Sequence, residues 1–187
     1  MRNLLIINGH DYYERAQGQL NNTMVKHITE LTPKGYEVIH TDIIKGYHVN
    51  EEIQKFKWAD VVIIQAPIYW FSLPGILKKY IDDVFVPDVF FGKAKKFGTG
   101  GKFNEKEYML SVTWGARESA FNGMKDDFLE GLSEDQVLLS IHKTFEYCGF
   151  NKLPTFSIYS SMNLAELDSY ITKLKHHLQE HLFNSFE

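Results

Sequence analysis

The chain has one cysteine, Cys148, only five prolines, no surplus of basic charge and no long apolar run, and each shortage removes a class of protein. A lone thiol cannot close an intrachain disulfide, so a disulfide-stapled scaffold is excluded and a reducing compartment is compatible. A formal net charge of −4 gives nucleic acid no basic field to bind. No stretch approaches the roughly 20 apolar residues of a spanning helix. The opening run Leu4–Ile7 stops at Asn8 and Gly9. That is too short for the core of a secretion signal, and the expectation is a cytoplasmic protein with no membrane insertion. Walker, G-x-G-x-x-G and G-x-S-x-G motifs are also missing, which disfavours a hydrolase. His177 and His181 have zinc-compatible spacing, but no matching carboxylates accompany them, and no metal is expected.

Hydrophobic residues make up 44% and charged residues 24% of the 187, a balance that fits one folded domain spanning residues 1–187. The aromatic share of 14% is more than core filling requires, so some rings could line a site for a flat apolar ligand. Short apolar runs alternate with longer amphipathic stretches, the pattern of an α/β fold with a doubly wound, five-stranded parallel sheet. Strands are predicted at Leu4–Asn8, Val38–Asp42, Val61–Gln65, Tyr108–Thr113 and Thr155–Ile158.

Helical spacing runs through Leu20, Met24, Ile28 and Leu31, with Gly35 as a stop. A second helix opens at Asn50, and a third follows Pro74 with Leu77, Tyr80, Ile81 and Val84 on one face. Ser133 with Gln136 has capping-box spacing ahead of Val137, Ile141, Phe145 and Cys148, with Gly149 as terminator. Asn163 with Glu166 repeats the box before Leu164, Leu167, Ile171, Leu174, Leu178 and Leu182. Residues 86–107 form a long connection without regular pattern, a candidate lid or dimer arm.

In an open α/β sheet, ligands bind beyond the carboxyl ends of the strands, which singles out three loops. After the first strand, Gln17-Gly18-Gln19-Leu20-Asn21-Asn22-Thr23 leads into a helix and can seat a phosphate. Asn21, Asn22 or Thr23 could equally cap that helix, and sequence alone leaves both readings open. After the third strand, Pro67-Ile68-Tyr69-Trp70-Phe71 places three adjacent rings between prolines. They cannot all enter one core, so at least one should border a cleft. After the fourth, Thr113-Trp114-Gly115-Ala116 offers small residues whose N–H groups could meet developing negative charge.

With these loops in view, the chain resembles the modulator of drug activity B family of NAD(P)H:quinone oxidoreductases. The resemblance is carried by Leu4-Leu5-Ile6-Ile7-Asn8-Gly9, Gly18-Gln19-Leu20-Asn21, Trp58-Ala59-Asp60-Val61-Val62-Ile63, Lys78-Lys79-Tyr80-Ile81-Asp82-Asp83-Val84-Phe85, Tyr108-Met109-Leu110-Ser111-Val112-Thr113-Trp114 and Leu153-Pro154-Thr155-Phe156. It implies a flavodoxin-like sheet of order 2-1-3-4-5 and a homodimer. It also implies FAD, with FMN possible, bound by Ala16 to Thr23, Ile68 to Phe71 and Thr113 to Ala116.

NAD(P)H would be the co-substrate and a quinone the acceptor, reduced by two electrons in a ping-pong scheme. Phe97, where the family usually has tyrosine, would reach the partner's flavin. Phe121 stands where distant animal relatives place the tyrosine of a Tyr–His pair, so that relay is not expected here. His10 matches a flavin-contacting histidine of those distant relatives. The rival readings are an FMN-dependent azoreductase or nitroreductase and a redox-sensing regulatory subunit.

Overall fold

The computed structural model describes residues 1–183, apart from the Leu164 side chain. The central strands are β1 (Arg2–Asn8), β3 (Val61–Pro67) and β4 (Glu107–Thr113). They are buried almost throughout and largely apolar because helices cover both faces, as a buried parallel sheet requires. With β2 (Tyr36–Asp42), β5 (Asn151–Lys152) and β6 (Phe156–Ile158), the order is β2-β1-β3-β4, with β5 and β6 both pairing with β4.

The single fifth strand expected at Thr155–Ile158 is therefore a broken one. Asn151 and Lys152 pair with Glu107 and Tyr108, and Phe156 resumes opposite Ser111. Pro154 lies in the gap, where it has no N–H to give the ladder.

One face carries α2 (Val49–Trp58), α3 (Gly75–Val84), the short α4 (Glu134–Val137) and α5 (Leu139–Tyr147). Phe56, Tyr80, Phe85, Phe90, Phe145 and Phe150 pack there as one aromatic core. The other face carries α1 (Gln19–Leu31) and α6 (Leu167–Leu178), burying Met24, Ile28, Leu174 and Leu178 on Leu4, Ile6, Val61 and Ile63. Each such aliphatic side chain contributes about 1.5–3 kcal/mol.

The Ser133–Gln136 box forms, and Gly149 closes α5 at φ +95°. Three expected boundaries move. Thr32, extended ahead of Pro33, ends α1 rather than Gly35. His48, not Asn50, precedes α2. The Asn163 side chain accepts from Ala165 N–H and leaves Glu166 out of any box.

Residues 86–106 are anchored rather than loose. Phe90 and Phe103 are buried, and Lys102 N–H donates to the carbonyls of Phe90 and Cys148. From this base the tip projects outward, with Phe97 90% exposed and its ring against that of Tyr147.

Candidate active site

The carboxyl ends of β1, β3 and β4 carry the loops singled out by sequence, and the structure brings them to one edge. The chain leaves β1 through a tight hairpin in which Tyr13 and Ala16 exchange backbone hydrogen bonds of 3.2 and 2.9 Å. It then enters α1 at Gly18, whose φ of +75° favours glycine. A Cβ there would also overlap the His10 ring, which lies directly beneath.

No side chain caps α1. Thr23 Oγ1 instead donates to the Gln19 carbonyl at 2.9 Å, and the Asn22 Oδ1 accepts from Asn8 Nδ2 at 2.8 Å. Capping is thereby corrected, since the hydroxyl and amide that would have capped are used elsewhere. The N–H groups of Gln19, Leu20 and Asn21 keep the positive helix end open, the arrangement that favours an anion.

A cleft of about 330 Å³ lies over this end. Ala16, Gln17, Gly18, Gln19, Leu20 and Asn21 line it together with Pro67, Tyr69 and Thr113, so residues of the three loops meet at one cleft. Glu14, Arg15, Ser161 and Met162 also line it and were not foreseen. A second cleft, about 420 Å³, adjoins it through Ala16 and Tyr69 and is walled by Tyr13, Ile68 and Trp70. An anion seat thus stands beside a slot with aromatic walls. Burial, and then the neighbouring Tyr13 and Asp11, raise the Tyr69 phenol above its ordinary value, so it stays neutral.

The β3 loop is a strained hairpin. Tyr69 and Ser72 exchange hydrogen bonds of 2.9 and 3.0 Å around Trp70 at φ 51° and Phe71 at φ 63°. These are positions that Asn-Gly ordinarily fills, and bulky residues there cost about 1 kcal/mol each. The return is display: Trp70 is 93% exposed. Phe71 turns away from the cleft to meet Phe128, with ring centroids 5.7 Å apart.

Several expected contacts fall elsewhere. The Trp114 ring is buried against Phe121, its indole N–H donates to Ser157 Oγ at 3.2 Å, and its backbone N–H donates to the Ile158 carbonyl at 2.7 Å. Trp114 therefore presents neither ring nor N–H to a ligand, which leaves Gly115 and Ala116 as the donors of that loop. A Cβ on Gly115 would meet open space. His10 is buried, its Nδ1 3.0 Å from Asn8 Oδ1. Asn21 points its side chain into the protein and can offer the cleft only its N–H. Phe97 lies in a separate cleft of about 390 Å³ with Lys93, Lys96 and Tyr147. Phe121 is buried between Trp114 and Tyr159.

Among the described residues no cluster of His, Cys, Asp or Glu could hold a metal, and no helix is long and apolar enough to cross a membrane.

Residues 2–182 match the family described by its flavodoxin-like fold. The chain belongs to that family. The NADPH:quinone oxidoreductase MdaB of Haemophilus influenzae is 35% identical over 95% of this chain and 98% of its own length. Identity at that level end to end places both proteins in one family of NAD(P)H:quinone oxidoreductases. Solved structures share the fold. An NADPH-quinone reductase from P. pentosaceus superposes with a TM-score of 0.68 at 18% identity, covering 95% of this chain and 97% of that one. The general stress protein 14 of Treponema denticola, in complex with FMN, does so at 0.64 and 20%, covering 96% and 95%.

Proposed function

We propose that this protein is a homodimeric flavoenzyme that passes two electrons from NAD(P)H to a quinone. The observation that carries the reading is the open α1 N-terminus at Gly18 facing a cleft continuous with an aromatic-walled slot. A flavin fits that donor set, because it joins a phosphate to a flat, largely apolar ring system. When bound, it supplies the chemistry itself, accepting hydride from the nicotinamide and returning two electrons to the quinone.

The chain's own residues bind and orient. The N–H groups of Gln19, Leu20 and Asn21 hold the first phosphate. Arg15, the one cation among the residues lining that cleft, meets a second phosphate, which is the reason to favour FAD over FMN. Tyr69 and Trp70 wall the slot and exclude water, while Pro67 and Thr113 line the phosphate cleft beside it. Gly115 and Ala116 direct N–H groups toward negative charge as it develops.

No side chain is needed as a base. Phe97, carried outward on the anchored arm, reaches the slot of a second subunit, and Lys93 and Lys96 beside it meet a nucleotide phosphate. Both substrates use one slot in turn, so initial-rate plots at several quinone concentrations will run parallel, and intersecting lines would refute the shared site. Chromatography of the flavin released on denaturation separates FAD from FMN. The second reading, an FMN-dependent azoreductase or nitroreductase, draws its support from the FMN held by the Treponema denticola structure.

A further inference from the structure

The three central strands change character in their last row. Ile6, Ile63 and Met109 are neighbours in register and fully buried under α1. Two residues further along, on the same face, stand Asn8, Gln65 and Ser111, again neighbours in register and all buried. A row that packing alone would fill with aliphatic side chains is filled with amides and a hydroxyl.

Their hydrogen bonds run in one direction. Ser111 Oγ donates to Gln65 Oε1 at 2.6 Å, and Gln65 Nε2 donates to Asn21 Oδ1 at 3.0 Å. Asn21 Nδ2 donates to Asn8 Oδ1 and, at 3.3 Å, to the Gln65 carbonyl. Asn8 Nδ2 then donates to Asn22 Oδ1. Because Asn8 Oδ1 can only accept, His10 Nδ1 donates to it, and the His10 ring underlies Gly18. Thus β4, β3, β1 and the first turn of α1 are joined through uncharged groups with every amide engaged.

We propose that this row positions the open end of α1 against the loops that follow β3 and β4, with Gln65 and Ser111 as positioning residues. Neutrality is part of the design: a buried charge here would oppose or capture the anion above, whereas amides fix geometry and leave the helix field to the ligand. The inference rests on the flavin reading only for what occupies the seat.

Its test uses Gln65→Met, which keeps the volume and removes the polarity, and the milder Ser111→Ala in case the first fails to fold. In flavin-free protein, amide exchange is followed at Gly9, Asn22 and Ile68, whose N–H groups bond to Gln65, Gly18 and Thr113 carbonyls. Exchange at these three should quicken about tenfold, the scale of one unsatisfied buried group, while α5 amides keep their rates. A uniform change across the chain, or none, overturns the proposal. With FMN and riboflavin as probes, affinity for FMN should fall about tenfold and for riboflavin much less, because the phosphate reads the helix end. Equal losses would likewise overturn it. Wild-type protein that bound neither flavin would sink the functional reading and leave the exchange result to decide the positioning.

Discussion

The two ends of the same three strands are built from opposite chemistry. At the amino end the contacts are charged and closed. Arg2 pairs with Glu107, Asp60 accepts from Asn3 N–H at 2.8 Å, and Lys106 donates to the Lys57 and Ala59 carbonyls. There too the buried His142 joins the Tyr108 hydroxyl at 2.7 Å to Asp135 at 3.0 Å. At the carboxyl end the buried row is made of amides and a hydroxyl, the helix end is open and bulky residues sit at positive φ. The amino end satisfies its polar groups within the chain and so supplies stability. The carboxyl end leaves donors and rings turned outward, the condition for binding something else.

The contrast can be broken hardest at Gly18. Gly18→Val adds strain at positive φ and drives a side chain into His10, so unfolding in urea should show a loss of about 2–4 kcal/mol together with loss of flavin retention. If the variant matched wild type in both, the crowded helix entry would be wrong.

Acid titration sharpens the other side. Burial alone would raise the Asp135 carboxyl, but hydrogen bonds from His142, Lys152 and Thr155 outweigh it and hold the group well below the usual carboxylate range. A depressed carboxylate stabilises the fold above its unfolded value, near 4. That contribution is fully present at neutral pH and fades as pH falls toward the folded value. Asp135→Asn should cost about 1 kcal/mol at neutral pH, a figure discounted for the partial exposure of Asp135. It should also flatten the acid limb of the stability curve. An unchanged limb would show that the carboxylate does not hold that end.

Trp70→Asn goes the opposite way. Asparagine tolerates positive φ, and an exposed ring loses little packing, so the protein should gain about 0.5–1 kcal/mol while quinone turnover drops. Lower stability would mean the hairpin is not strained. Phe97→Ala should be the quietest in denaturation, within about 0.5 kcal/mol of wild type. Its effect should appear as a higher KM for quinone, and wild-type kinetics would remove the arm from the reaction.

How much of this was legible in sequence follows the same divide. Mostly apolar runs marked β1, β3 and β4, because strands buried on both faces show no regular polar alternation. The fifth strand was blurred because Pro154 interrupts its ladder. At the ligand edge, Gly18 and the ring cluster at Tyr69 to Phe71 announced themselves, the first by its freedom and the second by sheer bulk. The hairpin at Tyr13 to Ala16 did not, since Glu14-Arg15 carries no turn signature. Ser161 and Met162 could have been found by extending the strand-end rule to the loop after the fifth strand. Whether Asn21 caps its helix or turns inward depends on Asn8 and Gln65 across the sheet, and a local reading cannot see them.

The central claim is that a flavin sits between the open end of α1 and the aromatic slot. It is tested most directly by adding NADPH and then a quinone to the flavin-loaded protein while recording its visible absorbance. The account predicts bleaching by the first and return of the colour with the second. Protein that took up no flavin, or held one that NADPH could not bleach, would contradict it.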